Sequence, residues 1–172
     1  FGRDIGGDIG RIDACPRLPD RPCIDIAGED LHLERLFQGF QMLLDEDESA
    51  GLACVLSFNA NDPSGAGGLS CDATAMASVG AHCLPVCTGT YVRDTSSITD
   101  FYPLDEEAVN DQARAVAEDV PVQVIKVGFV GTPESLAVIA ALADDYDGVP
   151  VVAYMPNLSW WEDDKIDAYL DA

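Results

Sequence analysis

From residue 52 onward, apolar runs typical of buried strands alternate with segments that carry apolar residues at helical spacing. The predicted strands cover 52–58, 82–92, 122–128 and 151–154. Helices are predicted at 69–79, from Asp105, from Pro133 and at 161–170, and residues 93–100 are predicted as a polar loop. This alternation favours right-handed crossovers and a mainly parallel sheet covered by helices on both faces. The sequence therefore predicts an α/β fold that binds ligands beyond the carboxyl ends of its strands.

Two helix starts carry clear local signals. Asp105 is a typical N-cap with acidic residues directly after it, and Thr132 is a typical N-cap followed by proline. The apolar face predicted for the second of these helices consists of Leu136, Ile139, Ala140 and Ala143.

Residues 1–50 differ in kind from the rest of the chain. The first 21 are rich in Gly, Asp, Arg and Pro without a sustained period, which is typical of loop or disorder. A helical stripe follows at 30–44, and then an acidic run at 45–48. We predict an appendage at 1–50, partly disordered and of unknown role, before one domain at 51–172. Because the chain begins with Phe1 and stops inside a predicted helix, we expect a fragment.

The charge balance excludes two classes of partner. The chain has 31 acidic residues against 9 basic ones, a formal net charge of −22. Nucleic acid and anionic lipid surfaces both require a basic face, so neither is an expected partner. No apolar run approaches the roughly 20 residues of a membrane span. The acidic composition fits a salt-adapted source or an ordinary solvated surface, and assembly as a homo-oligomer is left open.

The six cysteines indicate a reducing compartment. No Cys-x2-Cys pair occurs, so a zinc ribbon has no support. Cys54, Cys71 and Cys87 lie in apolar segments, where free cysteine behaves as a small hydrophobe. Cys83 and Cys87 share one face of a predicted strand, which favours core packing. A cytoplasmic location is therefore expected.

The stretch from Asn61 to Asp72 joins the first strand to the first helix through a glycine-rich turn. Glycines let the backbone approach a ligand, and a helix N-terminus presents free N–H groups. The turn matches neither Gly-x-Gly-x-x-Gly nor a P-loop. Asp72 either accepts hydrogen bonds from amino groups of a ligand or is simply stabilised by the helix dipole. Both interpretations of Asp72 remain open from the residues alone.

Two further features have two interpretations each. Lys126 lies within an apolar strand, where it either reaches a ligand phosphate or pairs with a carboxylate on a neighbouring loop. The pair Trp160-Trp161 indicates packing, or contact with another part of the protein, more than a binding platform.

The segment Asp62-Pro-Ser-Gly-Ala-Gly-Gly-Leu-Ser-Cys-Asp72, followed by Ser78-Val-Gly-Ala81 and Thr88, resembles the N-terminal signature of hydroxymethylpyrimidine/phosphomethylpyrimidine kinases of thiamine biosynthesis. Ile125-Lys-Val-Gly-Phe129 is similar to the Lys-Ile-Gly-Met strand end of that family. The resemblance covers about residues 52–172. It implies a ribokinase-like, three-layer α/β/α sandwich with a mainly parallel sheet, here truncated.

By this resemblance the reaction is transfer of the ATP γ-phosphoryl group to 4-amino-5-hydroxymethyl-2-methylpyrimidine and then to its monophosphate. ATP and Mg²⁺ are expected for the complete protein, and the partner is a small pyrimidine. Ala60 is expected to supply backbone at the pyrimidine, Gly68 the glycine wall, and Asp72 a contact to the polar edge of the ring. Phe129 is expected to pack on the ring, and Arg93 to lie at its edge.

Two positions depart from the family pattern. Arg93 stands where the family has glutamine, and arginine cannot accept a hydrogen bond, so either recognition of the ring edge differs or the arginine turns away. Tyr154 stands in place of an aspartate. The ATP-binding half of the family lies beyond residue 172, so no catalytic residue or metal ligand is assigned, and this chain alone is expected to be inactive. The alternatives are a divergent, non-catalytic pyrimidine-binding or regulatory relative, and a flavodoxin-like or other nucleotide-binding module that shares only the loop.

Overall fold

A computed structural model describes residues 52–171. In chain order the elements are β1 (Cys54–Asn61), α1 (Gly68–Ser78), β2 (His82–Arg93), β3 (Ile98–Pro103), α2 (Glu106–Ala117), β4 (Val124–Val127), α3 (Pro133–Asp145), β5 (Val151–Ala153) and α4 (Asp163–Leu170). The appendage predicted at 1–50 lies outside the described residues. The boundary between appendage and domain therefore stays a prediction.

The five strands form one sheet in the order β3-β2-β1-β4-β5. β1 pairs in parallel with both β2 and β4, and β4 pairs in parallel with β5. The predicted mainly parallel sheet is confirmed. Since β1 is central, its carboxyl end lies between the ends of β2 and β4.

The polar loop predicted at 93–100 was wrong, because β3 begins at Ile98 and pairs antiparallel with β2. Only the four residues between the strands form a turn, which Asp94 stabilises by accepting the backbone N–H groups of Ser96 and Ser97 at 2.7 and 2.8 Å. Polar side chains are tolerated in β3 because it is an edge strand. Most of its residues are exposed, and Phe101 is its buried residue.

The sheet separates two cores, as the alternation of side chains along β1 requires. Leu56 and Phe58 belong to the larger core, which includes Val109 of α2 and Leu142 of α3. Val55 faces the opposite side and packs with Met76 of α1 in a smaller cluster. The predicted three-layer α/β/α arrangement is confirmed, with α1 alone on one face in the described residues.

The predicted helix caps are confirmed. The Asp105 side chain accepts the Glu107 N–H at 3.0 Å, and the Thr132 hydroxyl accepts the Ser135 N–H at 3.2 Å. One residue of the apolar face predicted for α3 was wrong, because Ala140 is exposed. The buried positions of α3 are Ser135, Ile139, Leu142 and Ala143. These follow a spacing of four, seven and eight residues from Ser135, which turns Ala140 about 100° away from Ile139.

Two sequence expectations concern the whole chain. No helix within residues 52–171 is both long and apolar enough to span a bilayer. Cys54, Cys71, Cys83 and Cys87 are free thiols and half-buried, whereas Cys15 and Cys23 lie outside the described residues. Cys83 packs against the cluster under α1, as core packing predicts.

Candidate functional site

The glycine-rich turn is held by the buried carboxylate of Asp62. Its Oδ1 accepts the backbone N–H of Ser64 at 2.8 Å and the Ser64 hydroxyl at 2.7 Å. Gly68 has a φ of +62°, and a Cβ at this position would lie 2.4 Å from the Ala60 carbonyl oxygen. Glycine is therefore required there, because α1 begins in direct contact with the end of β1.

Asp72 lies one turn into α1, where its carboxylate faces the sheet. Its Oδ2 accepts three hydrogen bonds: from Ser57 Oγ at 2.8 Å, Asn59 Nδ2 at 3.0 Å and Lys126 Nζ at 2.7 Å. No hydrogen bond reaches Oδ1 within residues 52–171. Among the described residues, the Asp72 carboxylate thus has one oxygen with three donors and one oxygen without a donor.

Lys126 and Asp72 form a largely buried ion pair, with side chains 11% and 12% exposed. The pairing interpretation of Lys126 is confirmed, although its carboxylate lies on α1 and not on a neighbouring loop. Burial, with the Asp72 carboxylate nearby, also raises the pKa of the Cys83 thiol to about 11. The polar cluster under α1 thus combines a balanced ion pair with a thiol kept protonated at neutral pH.

Sequence reasoning missed Ser57 and Asn59, which supply two of the three donors to Asp72. Both lie in β1 on the face that α1 covers. The signal was present, because two buried polar residues interrupt an otherwise apolar strand at a spacing of two. Buried polar groups are normally hydrogen-bonded, so such an alternation predicts a partner above that face.

Arg93 is directed at the turn. Its Nη1 donates to Asp62 Oδ2 at 3.1 Å, and its Nε donates to the Asp94 carbonyl oxygen at 2.9 Å. The Asp62 side chain is fully buried and that of Arg93 is 16% exposed. Arg93 therefore neutralises the buried acid that shapes the glycine turn, in addition to any contact with a ligand.

Phe129 is 1% exposed and lies at the centre of an aromatic cluster. Tyr91 stacks on it at a centroid distance of 5.6 Å, and Phe101, Trp160, Trp161 and Tyr169 approach within 4.9–5.6 Å. The packing interpretation of Trp160 and Trp161 is confirmed. In this arrangement the ring of Phe129 offers no open face, so packing on a ligand would require one neighbouring ring to move.

Two buried polar side chains, Asn59 and Asp62, connect the predicted site residues. Asn59 bonds to Asp72 and to the backbone N–H groups of Ala60 and Phe129, while Asp62 bonds to Arg93. Gly68 contacts both Ala60 and Asp62. The structure therefore brings all five predicted residues to the carboxyl ends of β1, β2 and β4. Tyr154, at the end of β5, is half-buried, and burial raises the pKa of its hydroxyl.

The described residues offer no unpaired cation to the phosphates of a nucleoside triphosphate. Each Lys and Arg side chain in this part of the chain is already in an ion pair: Arg93 with Asp62, Arg114 with Asp145, Lys126 with Asp72, and Lys165 with Glu162. Across residues 52–171 no three His, Cys, Asp or Glu side chains are placed to hold a metal ion. Phosphoryl transfer depends on charges placed around the phosphates, and the four described cations already face carboxylates.

Comparison with known proteins identifies the family. The sequence model described as phosphomethylpyrimidine kinase matches residues 62–158, more than half of the 172-residue chain. The hydroxymethylpyrimidine/phosphomethylpyrimidine kinase of Streptomyces coelicolor is 30% identical over 98 residues, covering 57% of this chain and 36% of that protein. The chain thus spans about a third of the length of this curated relative.

Solved structures agree in fold. The phosphomethylpyrimidine kinase of Clostridium difficile 630 is 25% identical with a TM-score of 0.56, covering 59% of this chain and 44% of that chain. The pyridoxal kinase of Bacillus subtilis, 17% identical, reaches a TM-score of 0.56 over 60% of this chain and 39% of its own, which shows the fold alone. The ribokinase-like fold and the resemblance in the sequence are both confirmed. The chain belongs to the phosphomethylpyrimidine kinase family.

Proposed function

We propose that the complete protein phosphorylates hydroxymethylpyrimidine and then its monophosphate, as a step of thiamine biosynthesis. This chain contributes the substrate-binding half. The observation that carries the proposal is the open Oδ1 of Asp72, beside a glycine turn at the carboxyl ends of parallel strands, in a member of this family. An aminopyrimidine needs an acceptor of this kind at its polar edge.

The residues of this chain bind and orient the pyrimidine. Lys126 keeps Asp72 in a balanced ion pair, so that the carboxylate is held in place when its open oxygen accepts an amino group. Gly68 lets α1 begin directly against the Ala60 carbonyl oxygen, which holds the glycine turn at the end of β1. Arg93 holds the turn through Asp62, and Phe129 supports the pocket from below, its ring reaching the pyrimidine if Trp160 or Trp161 moves.

ATP and Mg²⁺ belong in this proposal to the complete protein, because the described cations are all paired. The pyrimidine is the proposed partner, and the acidic chain gives no basis for a nucleic-acid or membrane partner. A cytoplasmic location is proposed with it.

A second candidate is a non-catalytic relative that binds a pyrimidine for regulation. It is favoured by the two departures from the family pattern. Arg93 is occupied by Asp62, and a half-buried tyrosine stands at position 154, where a carboxylate could have handled metal and phosphate. Both candidates use the same pocket, so binding supports either one and turnover separates them.

Calorimetry with hydroxymethylpyrimidine on the complete protein is the direct test. We expect Asp72→Ala to weaken binding by about 1–3 kcal/mol, since the polar edge of the ligand loses its buried partner. Asp111→Ala, which removes an exposed carboxylate of α2, is the matched control and is expected to bind normally.

Three outcomes of this test are informative. Unchanged affinity in Asp72→Ala removes Asp72 from the site. Binding by the wild type without phosphorylation in the presence of ATP and Mg²⁺ supports the regulatory candidate. Failure of the wild-type protein to bind the pyrimidine contradicts both candidates.

A further inference from the structure

Asn59 lies at the end of the central strand, 7% exposed, and its amide group bonds to three separate parts of the site. Oδ1 accepts the backbone N–H of Ala60 at 2.9 Å and the backbone N–H of Phe129 at 3.3 Å. Nδ2 donates to Asp72 Oδ2 at 3.0 Å. One side chain therefore connects three of the residues proposed to form the pyrimidine pocket.

The position of this side chain is set by tight packing against β4. A Cβ on Gly128 would lie 2.6 Å from both Cγ and Nδ2 of Asn59, so the amide lies directly on the Gly128 backbone. The Gly128 N–H in turn donates to the Phe58 carbonyl oxygen at 2.7 Å. Phe129 is fixed from its other end as well, because its carbonyl oxygen accepts the Thr88 hydroxyl at 2.9 Å.

The backbone around Asn59 departs from regular pairing. The register between β1 and β2 shifts between Asn59 and Asn61, so Ala60 falls at the irregularity. Such irregularities re-aim the residues that follow them. Here the side-chain oxygen of Asn59 accepts the Ala60 N–H, which stabilises the irregular backbone at this point.

The chemistry of these contacts selects an amide. The site offers two N–H donors on one side and a carboxylate acceptor on the other, so the residue must both accept and donate. A carboxylate at position 59 would satisfy the two N–H groups and repel Asp72. An apolar side chain would leave two buried N–H groups without this partner, which is unfavourable. The partners also determine which end of the amide is oxygen.

We infer that Asn59 is a positioning residue, which sets the Asp72 carboxylate relative to the Ala60 and Phe129 backbone without touching the pyrimidine. The inference rests on the proposed function of this site. Lys126 balances the charge of Asp72, whereas Asn59 determines where that carboxylate lies relative to the ends of β1 and β4. Pocket geometry therefore depends on a residue outside the ligand contacts.

Two variants of the complete protein separate the two ends of the amide. In Asn59→Ala, amide hydrogen exchange at Ala60 and Phe129 is expected to accelerate by about tenfold or more, because both N–H groups lose their acceptor. In Asn59→Asp these two amides stay protected, because a carboxylate oxygen still accepts them. Only the bond to Asp72 is then lost.

The second measurement is the affinity for hydroxymethylpyrimidine. If Asn59 only stabilised the fold, this affinity would not change while both amides stay protected. Asn59→Asp is expected to weaken binding by about tenfold or more while both amides remain protected, because Asp72 is displaced from its position. Asn110→Asp, the same substitution on α2, is the control and is expected to change neither measurement. If Asn59→Asp fails to fold, Asn59→Ala supplies the binding measurement in its place, because it also removes the donor to Asp72 and is likewise expected to weaken binding.

The outcomes distinguish this inference from the proposed function. Normal wild-type binding together with unchanged affinity in Asn59→Asp overturns the positioning role alone. Unchanged exchange at Ala60 and Phe129 in Asn59→Ala overturns it as well. Absence of wild-type binding refutes the proposed function, and the positioning role for the pyrimidine with it.

Discussion

Replacing Lys126 by methionine removes the cation from a buried ion pair and leaves the Asp72 carboxylate beside two neutral donors, Ser57 and Asn59. At 2.7 Å the direct attraction is about 6 kcal/mol for an effective dielectric constant of about 20. Desolvation of each ion opposes this attraction by several kcal/mol. The attraction and the desolvation cost therefore nearly cancel while both ions are present. Removing one partner destabilises the fold, because the remaining buried charge has no counterion.

From this balance we expect Lys126→Met to reduce the free energy of unfolding by about 3 kcal/mol, and Asp72→Asn to do the same. The double variant is expected to lose no more than about 3 kcal/mol in total, since neither charge is left alone. The coupling energy between the two positions is then about 3 kcal/mol, at the upper end for residues in contact.

Equilibrium urea unfolding of the complete protein measures these values. Trp160 and Trp161 lie in the aromatic cluster around Phe129, so their fluorescence reports on the folded domain. With a slope of about 2 kcal/mol per molar urea, a loss of 3 kcal/mol lowers the midpoint by about 1.5 M.

The pair of Arg114 and Asp145 provides a matched control. Its side chains are 39% and 56% exposed, so the corresponding cycle is expected to show no resolvable coupling. Additive losses at Lys126 and Asp72, as at the control pair, would refute the reasoning, because they would mean that the two charges do not depend on each other in the folded state.

Three further predictions concern single positions. Gly128→Ala is expected to destabilise the protein by about 1–3 kcal/mol, because the new Cβ would meet Asn59, whereas Gly67→Ala has space and should melt almost normally. Tyr169→Phe removes the hydroxyl that accepts a buried backbone N–H at 3.2 Å, and should lower the free energy of unfolding by about 1–3 kcal/mol in urea titrations. Because the pKa of Cys83 is raised from 9.0 to about 11, the folded state holds its proton longer, so its contribution to stability should fall as pH rises from 9 to 11. Cys83→Ser should flatten that part of the stability profile, and an unchanged profile would contradict the assignment.

Local sequence signals were sufficient to predict most of the helices and strands. Periodicity located the parallel strands, and the caps at Asp105 and Thr132 located two helix starts, because both signals involve residues within about one turn of each other. β3 was missed because its pairing with β2 is a contact between strands, and a polar edge strand carries little periodic signal. Ala140 is apolar, which favours an inward position, but its angular position on α3 directs it to solvent.

The family was predictable from the motif between Asp62 and Asp72 and from the strand end at Lys126. The ribokinase-like fold then followed from the family. The same residues could not show how Asp72 is used. Its partners Ser57, Asn59 and Lys126 lie 15, 13 and 54 positions away in the sequence. They meet because β4 pairs beside β1 in one register and α1 crosses that face, so the ion pair, the open oxygen of Asp72 and the central place of Asn59 were decided by tertiary structure alone.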